Sequence, residues 1–238
     1  MDSGSWHFTR CPRPRTPTSN QDNSGFNAAE AAHPWIVFRT AGFEIDLVST
    51  AGGQPPCDEV DLTDPDQAAF FTQAAEQLSD TPRASDIDPT GYDAIFFVGG
   101  HATMWDFPDN PELARLARIV YESGGAVAAV CHGPAALVGL TLSDGSYLVG
   151  GKRVAAFTES EEVASGMIGI IPFVLAHRLI AQGAQHVPAP DWTENVIRDG
   201  RLVTGQNPAS ARRCAREVVA ALSSRTDLDP VRSANRRG

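Results

Sequence analysis

The stretch Ala126-Val127-Ala128-Ala129-Val130-Cys131-His132-Gly133-Pro134 carries the strongest structural signal in the chain. An uninterrupted run of small apolar residues is typical of a strand that is buried on both faces, as in a parallel sheet covered by helices. Gly133 permits close backbone approach, and Pro134 is compatible with the first turn of a helix. The sequence therefore predicts a sharp strand-to-helix turn with Cys131 on it.

Strands and amphipathic helices alternate outward from this turn. We predict helices at residues 28–40 (with Pro34 as a kink or restart), 66–78, 111–122, 135–140, 168–182 and 209–222, and strands at residues 44–48, 94–98, 126–130 and 154–157, with a type I′ hairpin over residues 195–204. The alternation predicts an α/β three-layer sandwich with a doubly wound, mainly parallel sheet. Such sheets bind ligands at the carboxyl ends of their strands, where Gly99-Gly100 and Cys131-His132 both lie.

Composition limits the class of protein and its partners. The chain has 238 residues, 42% of them hydrophobic, and a formal net charge of -10. An acidic chain is a poor partner for nucleic acid, and no apolar run is long enough for a membrane span. We find no secretory signal and no paired cysteine spacing, which favours a cytoplasmic protein with free thiols. Residues 1–24 and 224–238 are predicted to be disordered tails around one domain at residues 25–223.

Cys131 is the candidate nucleophile. A helix amino terminus behind the sulfur would favour the reactive thiolate, and the backbone N–H groups of His132 and Gly100 are candidate oxyanion donors. The alternative is a buried structural cysteine beside a chance histidine, but the strand, the Cys-His-Gly-Pro sequence and the helix together favour the nucleophile. Cys57 and Cys214 are interpreted as structural cysteines.

These residues resemble the ThiJ/PfpI superfamily of class I glutamine-amidotransferase-like domains, which has a flavodoxin-like fold. The similarity is greatest to its glyoxalase III branch, which includes heat-shock chaperones. The motifs that carry the resemblance are residues 32–35 (Ala-His-Pro-Trp), 49–56 (Ser-Thr-Ala-Gly-Gly-Gln-Pro-Pro), 92–101 (Tyr-Asp-Ala-Ile-Phe-Phe-Val-Gly-Gly-His), 104–110 (Met-Trp-Asp-Phe-Pro-Asp-Asn), 129–137 (Ala-Val-Cys-His-Gly-Pro-Ala-Ala-Leu), 157–162 (Phe-Thr-Glu-Ser-Glu-Glu) and 204–210 (Thr-Gly-Gln-Asn-Pro-Ala-Ser). They span most of residues 25–222 in the family's order. One departure is that residues 1–24 contain no apolar first strand.

The resemblance implies a set of site residues. The expected catalytic residues are Cys131, His132, Glu30 and Glu162, with Glu161 as an adjacent alternative to Glu162, and the expected oxyanion and substrate-binding residues are Gly100, His101 and Trp105. For His101 and Trp105, packing of a loop against the core is an equally good interpretation. No metal ligand is expected.

The implied reaction converts methylglyoxal to D-lactate without glutathione or any cofactor, through a hemithioacetal on Cys131. Deglycase action on related adducts is a further implied activity. The partner would be a small-molecule aldehyde, and a homodimer is compatible with the family. Three alternatives stay open: a Cys-His-Glu hydrolase, a stress chaperone or redox sensor that uses Cys131 as an oxidisable thiol, and an inactive homologue.

Overall fold

The structure, a computed structural model, describes residues 25–226. The predicted amino-terminal tail and residues 227–238 of the predicted carboxyl-terminal tail lie outside the described residues. The last helix continues to Thr226, past the predicted domain end at residue 223. Within residues 25–226, no helix is long and apolar enough to cross a lipid bilayer.

Strands and helices alternate along most of this range. The strands are β1 (Phe26–Asn27), β2 (Cys57–Asp58), β3 (Ala94–Phe97), β4 (Ala126–Val130), β5 (Arg153–Val154), β6 (Gln185–His186), β7 (Val196–Asp199) and β8 (Leu202–Gly205). The helices are α1 (Ala28–Thr40), α2 (Pro65–Gln73), α3 (Ala75–Ser79), α4 (Thr103–Asp106), α5 (Pro111–Glu122), α6 (Glu159–Ala164), α7 (Leu175–Ala181) and α8 (Ala211–Thr226). Helix α1 is continuous through Pro34.

A four-stranded sheet in the order β3-β4-β8-β7 forms the centre of the fold. Strands β3, β4 and β8 are parallel, and β7 is antiparallel to β8. Two short parallel pairs, β1-β2 and β5-β6, flank it. The predicted α/β architecture with a mainly parallel sheet is therefore confirmed.

Strand β4 is buried on both faces, as its composition predicts. Val127 and Ala129 belong to a core cluster with residues of α5 and α7, whereas Ala126 and Ala128 belong to a cluster with residues of α8. Every residue of β4 is fully buried. The alternation places helices on both sides of the sheet and carries Cys131 to the carboxyl edge of its centre.

Several predicted elements are wrong in extent. Residues 44–48 form no strand, and two of their backbone groups bond instead to the Gln77 side chain: its Oε1 accepts from Leu47 N–H (2.9 Å) and its Nε2 donates to Ile45 O (3.1 Å). The predicted helix at 66–78 is divided into α2 and α3, and the strand predicted at 154–157 is reduced to Arg153–Val154. The side chain of Gln77 thus replaces the neighbouring strand that the apolar pattern suggested.

Two predicted helices and one turn also differ. Helix α7 begins at Leu175 instead of residue 168, because Pro172 cannot continue a helix from the turns before it. After Cys131 the chain forms a 3-10 helix, Gly133–Leu137, and not an α-helix over residues 135–140. In the hairpin, Asp199 pairs with Leu202, and of the two residues between them only Gly200 has a positive φ. Since a type I′ turn needs two such residues, that turn assignment is wrong.

The packing of α8 against the sheet predicts a position-dependent effect of added volume. Ala215 is fully buried on α8, whereas Ala220 is exposed on the same helix. We expect Ala215→Leu to lower the free energy of unfolding by about 1–3 kcal/mol through overpacking. Ala220→Leu, with the same change in helix propensity, should stay within about 0.5 kcal/mol of wild type. Urea unfolding measures both, and equal effects would contradict the packing.

Candidate active site

The backbone at Cys131 adopts the left-handed conformation, with φ of 60°. Its N–H donates to Gly205 O (2.9 Å) and its carbonyl accepts from Phe157 N–H (3.1 Å), so neighbouring segments hold it on both sides. Only 4% of Cys131 is exposed, yet it lines a cavity of about 110 Å³. The predicted turn is present and presents the sulfur to a small cavity.

Two glycines leave the room that this turn requires. A Cβ on Gly99 would lie 2.5 Å from Glu30 Oε2 and 2.8 Å from His132 N. A Cβ on Gly133 would lie 2.2 Å from Phe97 O. All three distances are shorter than nonbonded contacts allow, so any larger residue would displace a site residue or the adjacent strand.

Cys131, His132 and Glu162 form a linear chain of contacts. Cys131 Sγ is 3.3 Å from His132 Nδ1, and His132 Nε2 is 2.7 Å from Glu162 Oε1. The His132 and Glu162 side chains are almost fully buried. Since Nε2 faces a carboxylate, it carries the ring proton in the neutral tautomer, which leaves the Nδ1 lone pair directed at the thiol.

Glu161, the alternative acid, has a different environment. Its Oε2 accepts from the N–H and hydroxyl of Thr158, which completes the capping box of α6. Its Oε1 accepts from Trp192 N–H (2.9 Å), Gln206 Nε2 (3.2 Å) and Asn207 Nδ2 (2.9 Å). Glu161 therefore ties the segment around Trp192 to α6, while Glu162 contacts the histidine.

Glu30 is fully buried in the first turn of α1. Its Oε2 accepts from Gly99 N–H (2.9 Å), while Oε1 has no hydrogen-bond partner of good geometry among the described residues. Burial raises the pKa of Glu30 to about 8, against the opposing effects of Cys131 and Gly99 N–H. The carboxyl is thus mostly protonated at neutral pH, beside the sulfur.

Burial also decides the protonation of the other three groups. It raises the pKa of the Cys131 thiol well above its usual value, and the neighbouring Glu30 adds to this. It lowers the pKa of His132, although Glu162 opposes the shift. For Glu162, burial opposes ionisation, but the interactions with the His101 and His132 rings outweigh it and lower the pKa to about 2. At rest the site holds a thiol, a neutral imidazole and one carboxylate, and the resting thiolate expected from a helix dipole is not favoured.

Gly100 and His101 line the same cavity. Gly100 has a φ of 113°, and among the described residues neither its N–H nor that of His132 donates to a backbone carbonyl. The N–H of His132 instead contacts the Cys131 sulfur. The His101 ring lies 4.2 Å from that of His132, centroid to centroid. Of the two predicted oxyanion donors, the His132 N–H therefore contacts the sulfur, and Gly100 lines the cavity that the sulfur faces.

Trp105 does not line this cavity. Its side chain is 42% exposed on α4, so the structure does not bring it together with the other predicted residues. A different tryptophan, Trp192, lines the cavity and packs on Phe157, which in turn contacts the His132 ring at 4.3 Å. The sequence around Trp192 does not indicate this role. Trp192 is held at the cavity by a hydrogen bond from its N–H to Glu161, which is far away in the sequence.

Acidic residues from β2 and the turn after it complete the cavity. Asp58 accepts from Gly25 N–H (2.6 Å), and Glu59 accepts from Asn27 Nδ2 (2.6 Å). They were not predicted, because a Cys-Asp-Glu sequence after a proline loop looks like ordinary surface. They add negative charge to one side of the cavity.

Two groups of side chains in the described residues have ligand atoms close enough for a metal ion: His101, His132 and Glu162, and His33, Asp64 and Asp66. In the second group, Asp64 accepts from Asp66 N–H and from the His33 ring, and it caps α2. Its oxygens are therefore already engaged.

The family pattern described as DJ-1/PfpI matches residues 23–221 of the chain. The chain belongs to the DJ-1/PfpI family. It is 36% identical to glyoxalase 3 of Candida albicans, over 85% of this chain and 92% of that protein. It is 34% identical to the glutathione-independent glyoxalase HSP31 of Saccharomyces cerevisiae, over 86% and 92%. The crystal structure of glyoxalase III from Candida albicans superposes with a TM-score of 0.79 at 33% identity, covering 85% of this chain and 90% of that one.

Within this DJ-1/PfpI domain, the buried Glu30 predicts a pH-dependent stability. Its pKa is about 8 in the folded protein against 4.5 as the reference, so between these values the folded state retains a proton that the unfolded chain has lost. The contribution of Glu30 to the free energy of unfolding is therefore fully present below pH 4.5 and is lost as the pH rises towards 8. In urea unfolding, we expect the free energy of unfolding of the wild type to fall by about a few kcal/mol between these pH values, and Glu30→Gln to remove this decline. Glu76→Gln on the exposed face of α3 is the control, and parallel curves for Glu30→Gln and wild type would contradict the assignment.

The two adjacent glutamates predict different effects on thiol reactivity. Glu162→Gln removes the charge that stabilises protonated His132, so we expect iodoacetamide to alkylate Cys131 at least about 10-fold more slowly at neutral pH. Glu161→Gln should leave that rate within about 3-fold and lower the free energy of unfolding by about 1–3 kcal/mol, because buried donors lose their acceptor. Mass spectrometry of the Cys131 peptide measures the rate. Slower alkylation with Glu161→Gln alone would reverse the assignment.

Proposed function

We propose that this protein is a glutathione-independent glyoxalase, a cysteine-dependent lyase that converts methylglyoxal to D-lactate. The observation that carries the proposal is the buried chain from the Cys131 thiol through His132 to Glu162, beside the protonated carboxyl of Glu30. The names of the relatives from Candida albicans and Saccharomyces cerevisiae support the same reaction class. Three cysteines in the described residues, Cys57, Cys131 and Cys214, are free, which fits a protein of the reducing cytoplasm.

The first step is addition of the Cys131 sulfur to the aldehyde carbon of methylglyoxal. His132 Nδ1 accepts the thiol proton as the carbon–sulfur bond forms, and Glu162 stabilises the resulting imidazolium through Nε2–H. The N–H of Gly100 stabilises the developing alkoxide, which then takes the proton back from His132. The product is a neutral hemithioacetal. Because the resting sulfur is a thiol, activation and attack occur together.

The second step moves a hydrogen from the carbon bound to sulfur to the neighbouring ketone carbon. His132 removes the proton from the carbon bound to sulfur, while Glu30 donates its proton to the ketone oxygen, which gives an enediol. His132 returns its proton to the second carbon, and Glu30 regains a proton from the hydroxyl on the carbon bound to sulfur, so that this carbon becomes the carbonyl of a thioester. Water then hydrolyses the thioester to lactate and the free thiol. No electrons leave the substrate, so no cofactor is needed.

The cavity fits a small neutral substrate. Its volume of about 110 Å³ suits a molecule of a few heavy atoms. Asp58 and Glu59 line it together with Glu30, so the neutral dicarbonyl enters without charge repulsion, whereas the lactate carboxylate is repelled. The same charges favour release of the product over its retention.

The test is lactate formation by the purified protein. We expect methylglyoxal to be converted to D-lactate without glutathione, and Cys131→Ala to reduce the rate at least about 1,000-fold because the covalent intermediate cannot form. Cys57→Ala, which removes a half-buried thiol on β2, should retain most of the activity.

Absence of D-lactate, or equal rates for wild type and Cys131→Ala, would reject the proposal. Glutaminase or peptidase activity in its place, lost with Cys131→Ala, would favour the hydrolase alternative.

A further inference from the structure

We propose that His101, His132 and Glu162 form a binding site for a divalent transition-metal ion of the zinc type, and that the bound ion inhibits catalysis. The inhibition rests on the proposed glyoxalase function, whereas the binding does not. The site is not that of a cofactor, because the ion occupies atoms that the reaction itself requires.

The three side chains converge on one point. Their ligand atoms, one from each residue, all lie within 4.8 Å of one another. His132 Nε2 is 2.7 Å from Glu162 Oε1, and His101 Nε2 is 3.3 Å from Glu162 Oε2. The two imidazole rings lie side by side, 4.2 Å apart, above the same carboxylate.

Two of these atoms have no hydrogen-bond partner within residues 25–226. Glu162 Oε2 and His101 Nε2 are both buried, and their 3.3 Å approach lacks hydrogen-bond geometry. The Glu162 side chain is only 1% exposed, so water does not solvate that oxygen well. A buried carboxylate oxygen without a partner costs free energy, which a cation between it and the histidine would recover.

The spacing fits zinc. Zinc binds histidine nitrogen and carboxylate oxygen at about 2.0–2.2 Å, which places neighbouring ligands of a tetrahedron about 3.3–3.5 Å apart. The contact between His101 and Glu162 already has this length, and that between His132 and Glu162 must open by about 0.6 Å. Two imidazoles with one carboxylate favour zinc, cobalt or nickel over magnesium or calcium, which prefer oxygen ligands.

Access and the fourth ligand come from the cavity. His101 and His132 both line it, so an ion enters by the route of the substrate and keeps one position open to water. Cys131 is excluded as a ligand, because its sulfur faces Nδ1 on the opposite side of the His132 ring from Nε2. The site therefore differs from one in which the thiolate binds the metal.

The position of the ring proton explains the inhibition. In the free protein Nε2–H faces Glu162 and the Nδ1 lone pair faces the thiol. A metal on Nε2 displaces that proton, so a neutral ring must carry its proton on Nδ1. Nδ1 can then no longer accept the proton of Cys131. The ion also takes the carboxylate that stabilises the imidazolium, so both parts of the base are lost.

Binding is tested in Cys131→Ala, where activity plays no part. We expect Co²⁺ to give the visible d–d bands of a tetrahedral site without a thiolate charge-transfer band, and Zn²⁺ to abolish them. His101→Gln in the same background should weaken Zn²⁺ binding at least about 10-fold in competition with a chromophoric chelator. His33→Gln, from the other group of potential ligands, is the matched control and should not change the affinity.

Inhibition is then tested in the protein with Cys131 intact. Zn²⁺ should suppress lactate formation reversibly, with recovery on addition of EDTA, and His101→Gln should raise the inhibitory concentration by the same factor as the dissociation constant. Absence of Co²⁺ bands, dependence of binding on Cys131, or loss of affinity with His33→Gln would each overturn the site. Binding without inhibition would overturn its effect on catalysis, and absence of any lactate formation would reject the function while leaving the binding result intact.

Discussion

The left-handed backbone of Cys131 is the constraint on which the rest of the site depends. A residue other than glycine in this conformation costs about 1–3 kcal/mol, and hydrogen bonds to Gly205 and Phe157 hold it there. The turn directs the sulfur away from the sheet and into the cavity, with the His132 ring beside it. If the chain continued in the direction of β4 without this turn, the sulfur would point into the core. Cys214 is in such a place, with its sulfur against the carbonyls of β4 and β8.

Around this turn, two buried carboxyl groups have opposite ionisation. Glu30 receives one backbone N–H and no cation, so burial dominates and it keeps its proton. Glu162 faces two imidazoles, and its interactions with them outweigh burial. Pairs of carboxyl groups whose environments separate their pKa values can serve as acid and as charge stabiliser in one reaction. Among the described residues, Glu162 Oε2 has no hydrogen-bond partner, and this oxygen is the basis of the inferred metal site.

The pattern of the sequence was sufficient where local and global preferences agree. The runs at β3 and β4 are strands because uniformly apolar segments between helices are typical of a parallel sheet that helices cover on both faces. The pattern failed at residues 44–48, where side-chain hydrogen bonds from Gln77 replaced a neighbouring strand, and before α7, where Pro172 ended a run that was apolar but not helical. In both cases the sequence shows the apolar residues correctly, but it does not show which groups form hydrogen bonds with their backbone.

By itself, the sequence determined the strand, the turn at Cys131 and the adjacent histidine, because these depend on residues that are neighbours along the chain. Only the tertiary structure decided that Glu162 and not Glu161 contacts His132, that Trp192 and not Trp105 lines the cavity, and that the resting sulfur is a thiol. Each of these depends on burial and on distances between segments far apart in the chain. The free energy of a charge or a hydrogen bond is set by what surrounds it, and local sequence does not contain that information.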